Sequence, residues 1–259
     1  MLRKALFRLT DKNLIRAIQF LILFLAFLSF MALSRVFPFF PSPFDVARAA
    51  VEFFGRGENY DHLLTTLYET VVGFAIGVFL GISIGVLLGM SRYLAEVFEP
   101  IIVSVYSIPK IVFLPVLLMI FGVGLSSKIA NATLHAIFPI VLNALVGIRE
   151  VSQTFVKVAR SMSATRRQIF MKIYFPSSVL PVFAGMRIGL GFAFLGSLLA
   201  ELFEAKAGLG YLVAQFYKTA QIARMLAVIL LVFILTMSIN AGVKRIESRL
   251  SRWRGTWKV

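Results

Sequence analysis

The stretch from Gly73 to Gly89, GFAIGVFLGISIGVLLG, decides the fold of this chain, because it carries no charge and repeats glycine at every fourth position. With the apolar residues that precede it, it is long enough to cross a bilayer as a helix, which takes roughly 20 residues. Residues four apart stack on one face of a helix. The repeat therefore predicts a side-chain-free groove for another helix, used either for fixed packing or for sliding during gating. Its members are Gly73, Gly77, Gly81, Gly85 and Gly89.

Other apolar runs extend this pattern along the chain, which is 59% hydrophobic with a mean hydropathy of +0.88. Six candidate spans lie at about 17–34, 64–90, 102–122, 128–148, 178–203 and 225–243. We interpret the first as a retained helix, because its apolar run outlasts a cleavable signal segment. Residues 44–54 predict a short helix on the outer surface. The fold class is therefore all-α: a transmembrane domain over 17–243, a cytoplasmic segment over 1–16 and a basic cytoplasmic tail over 244–259.

The distribution of lysine and arginine sets the orientation of these spans. With the N-terminus inside, cytoplasmic segments hold 18 basic residues and outside segments hold 7. Cytoplasmic loops of membrane proteins carry this excess, so both termini are predicted to be cytoplasmic. The net charge of the chain is +15, and its basic residues lie beside apolar runs. This distribution indicates membrane orientation and lipid contact, with no nucleic acid as partner.

The third span contains Pro109 and Pro115, each of which removes a helical hydrogen bond and kinks or breaks the helix. Broken helices at membrane depth are tolerated where they line a cavity. Lys110 must therefore either snorkel to the cytoplasmic headgroups or face a wet pathway. In the fifth span, Glu201 lies near the outer end, where water is a sufficient partner, and Arg187 lies deeper. These five residues are the candidates for a translocation pathway or gate.

The sequence holds no pattern for catalysis, for metal binding or for nucleotide binding. It has no cysteine, its two histidines do not form a metal-spaced cluster, and it lacks a phosphate-binding G-x-x-x-x-G-K-[ST] loop. We therefore expect no catalytic residue, no metal site and no bound cofactor, and any ATP-driven work must come from another subunit.

A basic island, KVARSMSATRRQIFMKIYFP from Lys157 to Pro176, interrupts the apolar spans within a predicted cytoplasmic loop at about 150–176. No acidic residue occurs between Val151 and Ala200, and the apolar residues of the island recur at helical spacing. Such a segment either rests its apolar face on the membrane surface or docks a soluble partner.

The island resembles the EAA loop of binding-protein-dependent ABC importer permeases, whose pattern is E-A-A, three residues, G, nine residues, then I-x-L-P. The spacing is kept in full. Identity is kept at Ala159, Ile173 and Pro176 and lost at Lys157, Ser163 and Phe175.

Motifs from Pro41 onward extend the resemblance to the nitrate, sulfonate and taurine class of these permeases. They include Pro41-Ser42-Pro43, Thr65-Thr66-Leu67, Ile108-Pro109, Leu114-Pro115, Phe121-Gly122-Val123-Gly124, Phe138-Pro139-Ile140, Gly185-Met186-Arg187-Ile188-Gly189-Leu190-Gly191, Ala200-Glu201-Leu202 and Ala207-Gly208-Leu209-Gly210-Tyr211. The resemblance implies the membrane subunit of an ATP-driven importer in the inner membrane of a prokaryote. Its substrate would be a small, anionic solute of the nitrate, sulfonate or taurine kind.

The resemblance also implies the partners of this subunit. They would be a second permease, two cytoplasmic ATPases that hold ATP and Mg, and an extracytoplasmic binding protein. The residues implied in ATPase coupling are Lys157, Ala159, Arg160, Ser163, Arg166, Arg167, Ile173 and Pro176.

Two departures from the family pattern leave alternatives open. Lys157 reverses the charge of the family's glutamate, so either the ATPase differs there or the chain belongs to an unequal permease pair rather than a homodimer. Ser163 replaces the glycine between the two short helices of the loop, although Thr165 and Gln168 form a T-x-x-Q capping box that can start the second. The rival functions are a secondary transporter or channel working alone and a non-transporting membrane scaffold.

Overall fold

The fold is a bundle of α-helices, seen in a computed structural model that describes residues 28–32, 36–37, 40–204 and 206–252. The described residues contain no strand, which confirms the all-α prediction over this part of the chain. The helices are α1 (Pro43–Gly55), α2 (Glu58–Gly89), α3 (Arg92–Ser107), α4 (Leu114–Phe121), α5 (Leu125–Arg149), α6 (Gln153–Ser161), α7 (Arg166–Ile169), α8 (Phe175–Glu204), α9 (Leu209–Lys218) and α10 (Ile222–Arg252). A 3₁₀ turn (Lys110–Phe113) precedes α4, and a π-turn (Phe170–Tyr174) joins α7 to α8.

Four helical runs among the described residues are long and apolar enough to cross a bilayer: α2, α5, the run through α8, and α10. They correspond to the predicted spans 64–90, 128–148, 178–203 and 225–243. Helix α2 begins at Glu58, earlier than predicted; its 32 residues extend about 48 Å, more than the hydrocarbon thickness. The predicted first span at 17–34 lies mostly outside the described residues.

The predicted third span at 102–122 is not one continuous helix. It is the pair α3 and α4, bent by 89° at the short break between them. Pro109 stands at this break, as its missing amide predicted. Pro115 instead lies in the first turn of α4, where no intrahelical donor is needed, so it starts a helix rather than interrupting one.

Helices α2, α5 and α8 form the centre of the bundle: α5 packs extensively against both others, and α2 and α8 also contact each other. The five glycines of α2 lie against α5, opposite a second ladder with the same spacing: Ala132, Ala136, Ile140, Ala144 and Ile148. A Cβ added at Gly85 would lie 2.6 Å from the carbonyl oxygen of Val141 and 2.6 Å from the Ala144 Cβ. The backbones therefore approach to a separation that no side chain on α2 would permit.

Helix α1 is short and amphipathic and packs on α10 through Val46, Ala49 and Ala227. It corresponds to the helix predicted at 44–54. Ser42 and Asp45 form a capping box at its N-terminus. The hydrogen bond from the Ser42 hydroxyl holds the pKa of the exposed Asp45 carboxyl below its ordinary value, so this cap is present above the ordinary pKa and is lost as the pH falls through the lowered one.

Candidate functional site

The basic island folds into two short helices, α6 and α7, that lie at the end of the bundle where α5 finishes and α8 begins. Val151, Val156 and Ile169 are buried and form a small core for this segment. We call residues 150–176 the coupling loop. The apolar residues of the loop therefore lie on two faces. One face packs in the loop's own core, and the other remains exposed.

The turn between α6 and α7 uses Ser163 in the left-handed conformation, with φ of 59°. The Ala164 amide donates to the Ala159 carbonyl and the Ser163 amide to the Arg160 carbonyl, both at 3.0 Å. This is the Schellman pattern, in which glycine is the usual residue at the left-handed position. The loop therefore forms the turn that glycine would favour at this position, although Ser163 stands there in a strained conformation.

Helix α7 begins at the predicted capping box. The Gln168 amide donates to the Thr165 hydroxyl at 3.3 Å, and the Thr165 amide donates to the Gln168 side chain at 2.8 Å. Pro176 follows the π-turn as the second residue of α8. The loop therefore has the two-helix shape that its sequence left in doubt.

The exposed face of the coupling loop carries a hollow of about 360 Å³. Its lining consists of Phe155, Val158, Ala159, Met162, Lys172, Ile173 and Ser177. Met162 is 78% exposed, and Phe155 and Val158 are also exposed. An apolar hollow open to solvent on a charged segment is typical of a docking surface for another protein.

The loop carries five exposed cations, of which Lys172 lines the hollow: Lys157, Arg160, Arg166, Arg167 and Lys172. None makes an ion pair with a carboxylate in the part of the chain that the structure describes. Helical geometry places Lys157 on the side of α6 turned away from Val158 and Met162. Lys157 therefore faces solvent, beside the hollow rather than in it.

Lys110 does not snorkel to the headgroups, which was one of its two expected positions. It is only 9% exposed, and its ammonium donates a hydrogen bond to the Tyr106 carbonyl at 2.9 Å. The Nζ atom lies 4.3 Å from the centre of the Tyr106 ring, 5.5 Å from that of Phe138 and 5.9 Å from that of Phe192. Three aromatic rings from three helices thus replace water around the charge.

The expectation that water is a sufficient partner for Glu201 is wrong. Glu201 is 1% exposed and accepts hydrogen bonds from the Thr66 hydroxyl and from the Gly210 amide, each at 2.7 Å. Neighbouring helices close over the end of α8, so its position near a helix end does not give it solvent. Arg187 is half-buried in the middle of α8, on the opposite face from Gly185 and Gly189, which contact α5.

Beside Glu201 lies an ion pair that the sequence reading did not identify. Lys128 Nζ donates to Glu69 Oε1 at 2.9 Å, and both side chains are buried. Lys128 also donates to the Ala207 carbonyl at 3.3 Å. One sequence pattern could have indicated this site, because Glu69 and Thr66 lie three residues apart on one face of α2. The residues that pair with them come from distant parts of the chain. We call Thr66, Glu69, Lys128 and Glu201 the polar cluster.

The polar cluster fixes the turn between α8 and α9. The Gly208 amide donates to His62 Nδ1 at 3.1 Å and the Leu209 amide to the Thr66 hydroxyl at 2.8 Å. Gly208 has φ of 117°, and a Cβ added there would lie 2.2 Å from the Glu201 carboxyl carbon. A buried turn thereby obtains partners for its backbone, as the membrane interior requires.

Comparison with known proteins identifies the family of the chain. Residues 77–252 match the family described as the binding-protein-dependent transport system inner membrane component. The nitrate import permease protein NrtB of Synechococcus elongatus is 31% identical, over 73% of this chain and 70% of its own. The riboflavin transport system permease protein RibX of Chloroflexus aurantiacus is 32% identical, over 83% of this chain and 81% of its own.

Among solved structures, a chain of the MetNI methionine ABC transporter in an inward-facing conformation superposes with a TM-score of 0.65 at 26% identity. The match covers 73% of this chain and 94% of that one. Family, relatives and fold agree with the resemblance found in the coupling loop. The chain therefore belongs to the family of binding-protein-dependent transport system inner membrane components, the membrane-spanning permease subunits of ABC importers.

Proposed function

We propose that this subunit docks a cytoplasmic ATPase through its coupling loop and transmits the work of ATP hydrolysis into the membrane bundle. ATP and Mg would be held by the ATPase. The observation that carries this proposal is the coupling loop itself, which combines an exposed apolar hollow with five exposed cations. The positive-inside distribution of basic residues supports a cytoplasmic position for the loop and for both termini.

The occupant of the hollow should be a protein with an acidic rim. Exposed apolar side chains such as Phe155 and Met162 gain free energy when a partner covers them. From Val151 to the end of the loop there is no acidic residue to balance its five cations, and Glu150 at its start is the loop's one carboxylate. An acidic partner surface would therefore supply both the charge and the apolar cover, with the charges favouring rapid and oriented encounter.

A second permease subunit is the partner that the bent pair α3 and α4 supports. The bend interrupts helical hydrogen bonding, and backbone in this state is tolerated at membrane depth only beside protein or a water-filled cavity. Apolar residues flanking the bend are exposed in the single chain, including Ile108 and Val112. A second copy, or a related permease in an unequal pair, would cover them and enclose a pathway. Two ATPases and an extracytoplasmic binding protein complete the proposed complex.

For the solute, we propose a small anion. Lys110 and Arg187 are the two cations within the predicted spans 102–122 and 178–203, and the relative NrtB is named for nitrate import. The relative RibX is named for riboflavin, an uncharged solute, so family membership does not by itself decide the charge. Lys110 is nearly buried and has no carboxylate partner in the described part of the chain, which favours an anion here.

A stand-alone secondary transporter would place its ionisable cluster near the middle of the membrane. The polar cluster lies instead at the end of the bundle opposite the coupling loop, since Lys128 is near the start of α5 and Glu201 near the end of α8. It holds a backbone turn, and its side chains are buried. Its position and its partners support a structural role.

Co-purification tests the proposal. The wild-type chain should bring down a stoichiometric ATPase, whereas Val158→Asp, which places a carboxylate in the hollow, should lose it. Ala159→Trp, which fills the hollow, should also lose the ATPase. Gln153→Trp is the matched control, because Gln153 is exposed on α6 outside the hollow. Normal assembly and ATP hydrolysis in both hollow variants would show that the ATPase docks elsewhere.

Orientation can be tested on the same protein. The chain contains no cysteine, so a single Thr154→Cys in the exposed part of α6 provides a unique thiol. We expect a membrane-impermeant thiol reagent to label it only in inside-out vesicles or after permeabilisation. Labelling of intact cells with an opened outer envelope would place the coupling loop on the wrong side for an ATPase.

A further inference from the structure

Tyr106, Phe138 and Phe192 form a cage of aromatic rings around the ammonium of Lys110. The cage draws one ring from each of three helices: Tyr106 from α3, Phe138 from α5 and Phe192 from α8. Among the residues that the structure describes, the ammonium finds one hydrogen-bond acceptor, the Tyr106 carbonyl. An ammonium has three N–H donors, so two face only aromatic rings or open space.

The charge is stable in this position without an anionic partner. No carboxylate in the described part of the chain lies within ion-pair distance of Lys110. The electron-rich faces of the rings attract a cation, most strongly at short distance, and Tyr106 is the nearest at 4.3 Å. The C-terminal end of α3 also favours positive charge, because its last carbonyls have no helical donor.

The cage sits at the bend between α3 and α4. Lys110 itself points into the subunit, while its neighbours Ile108 and Val112 are exposed on the other side of the bend. The four-carbon stem of lysine is flexible, and Lys110 lies two residues from each of these exposed side chains in the sequence. The outward side is the surface that the proposed second permease would face.

We propose that the cage is a resting position for the Lys110 ammonium, which leaves the rings to contact a small oxyanion, such as nitrate or a sulfonate, in the pathway. This inference rests on the proposed transport function and names the residue that recognises the solute. Sulfonate and nitrate oxygens can accept the two donors that the cage leaves unused. Because the rings compete with the anion for the ammonium, the cage keeps the interaction weak enough for release, as conduction demands.

The competing interpretation is that Lys110 is a fixed structural group that closes the end of α3. The two interpretations differ in what happens when the nearest ring is removed. A resting position that competes with the anion predicts tighter anion binding in Tyr106→Leu. A fixed structural group predicts no gain of anion binding, since the backbone carbonyl that accepts its hydrogen bond is retained in that variant.

The test is thermal unfolding of the full-length protein in detergent, with sodium nitrate and sodium methanesulfonate titrated separately. We expect each anion to raise the unfolding temperature of the wild type by roughly 2–4 °C near saturation. Lys110→Met should abolish the anion-dependent rise, while Lys218→Met, at an exposed lysine, should retain it. In Tyr106→Leu, the half-saturating anion concentration should fall by about 2- to 30-fold, the range set by a lost cation–π contact.

Either of two results would overturn the inference: an anion-dependent rise that persists in Lys110→Met, or a half-saturating concentration that does not fall in Tyr106→Leu. The second variant keeps Lys110 and so answers the question even if Lys110→Met does not fold. The measurement needs no ATPase. Its failure is therefore distinct from failure of the docking proposal, which the Val158→Asp co-purification decides separately.

Discussion

Replacing Lys128 with methionine should destabilise the bundle more than any change to an exposed lysine. Methionine keeps most of the volume and the flexible stem of lysine but removes the charge. The variant loses the 2.9 Å bond to Glu69 and the 3.3 Å bond to the Ala207 carbonyl. Glu69, whose side chain is fully buried, is left without a cation. Its Oε2 atom already has no hydrogen-bond partner among the described residues.

The magnitude follows from the burial of both side chains, which are 8% and 0% exposed. Removing one partner of a buried ion pair in a soluble protein costs about 3–5 kcal/mol. Two effects reduce the loss here. Helices that remain in a micelle after unfolding find other polar partners, and a carboxylate without its cation takes up a proton. We therefore expect a loss of about 2–4 kcal/mol for Lys128→Met.

The assay is equilibrium unfolding in mixed micelles, with Lys218→Met as the matched control at an exposed position. The control should change the free energy of unfolding by less than about 0.5 kcal/mol. The double variant Glu69→Gln with Lys128→Met should be more stable than Lys128→Met, because no unpaired charge remains. If Lys128→Met matched the control, the pair would not stabilise the bundle and our reasoning about its burial would be refuted.

Three further predictions concern the helix interface and the coupling loop. Gly85→Ala should lower the free energy of unfolding by about 1–3 kcal/mol through overpacking. Gly191→Ala, with open space around its Cβ position, should be neutral or stabilising. Equal effects of the two changes in unfolding assays would contradict the close approach of α2 and α5. Ser163→Gly should relieve left-handed strain and stabilise the loop by about 1 kcal/mol. Ser161→Gly, at the last residue of α6, has no such strain to relieve and should not stabilise the loop. Slower hydrogen exchange of the loop in the first variant only is the expected result. Lys157→Glu should weaken ATPase binding by about 0–1 kcal/mol. Salt should reduce this effect, because it screens charges over about 8–10 Å, and a charge reversal on the ATPase should restore binding. Stronger binding of Lys157→Glu would favour an unequal permease pair.

Local features of the sequence predicted most of the fold. The four-residue glycine spacing marks a helix face, and Pro109 marks a break, because both act within a turn or two of the backbone. The capping box of Thr165 was predictable for the same reason, since its partner lies three residues away. The motif spacing around Ala159 also indicated the family before any contact was known.

The polar cluster could not be predicted in this way. Glu69 and Lys128 are separated by 59 residues, and Thr66 and Glu201 by 135. Each looks, in its own segment, like a polar residue close enough to a helix end to reach water. The packing of the helices excludes water from these four residues and brings them together as partners. The inward position of Lys110 depends in the same way on rings from α5 and α8 that its own segment does not contain.

The matched ladders on α2 and α5 have a mechanical consequence for the coupling loop. The loop leaves α5 at its last turn and returns directly into α8, so both of its ends are attached to the group of mutually packed helices α2, α5 and α8. If α2 slid along α5 by less than one helical turn, Ala132 or Ile140 would collide with the backbone of α2. The ladders therefore resist a shift of register between the two helices. A displacement of the loop would then move α2 and α5 together, and the break at Pro109, where helical hydrogen bonding is interrupted, is the place for the remaining bundle to adjust.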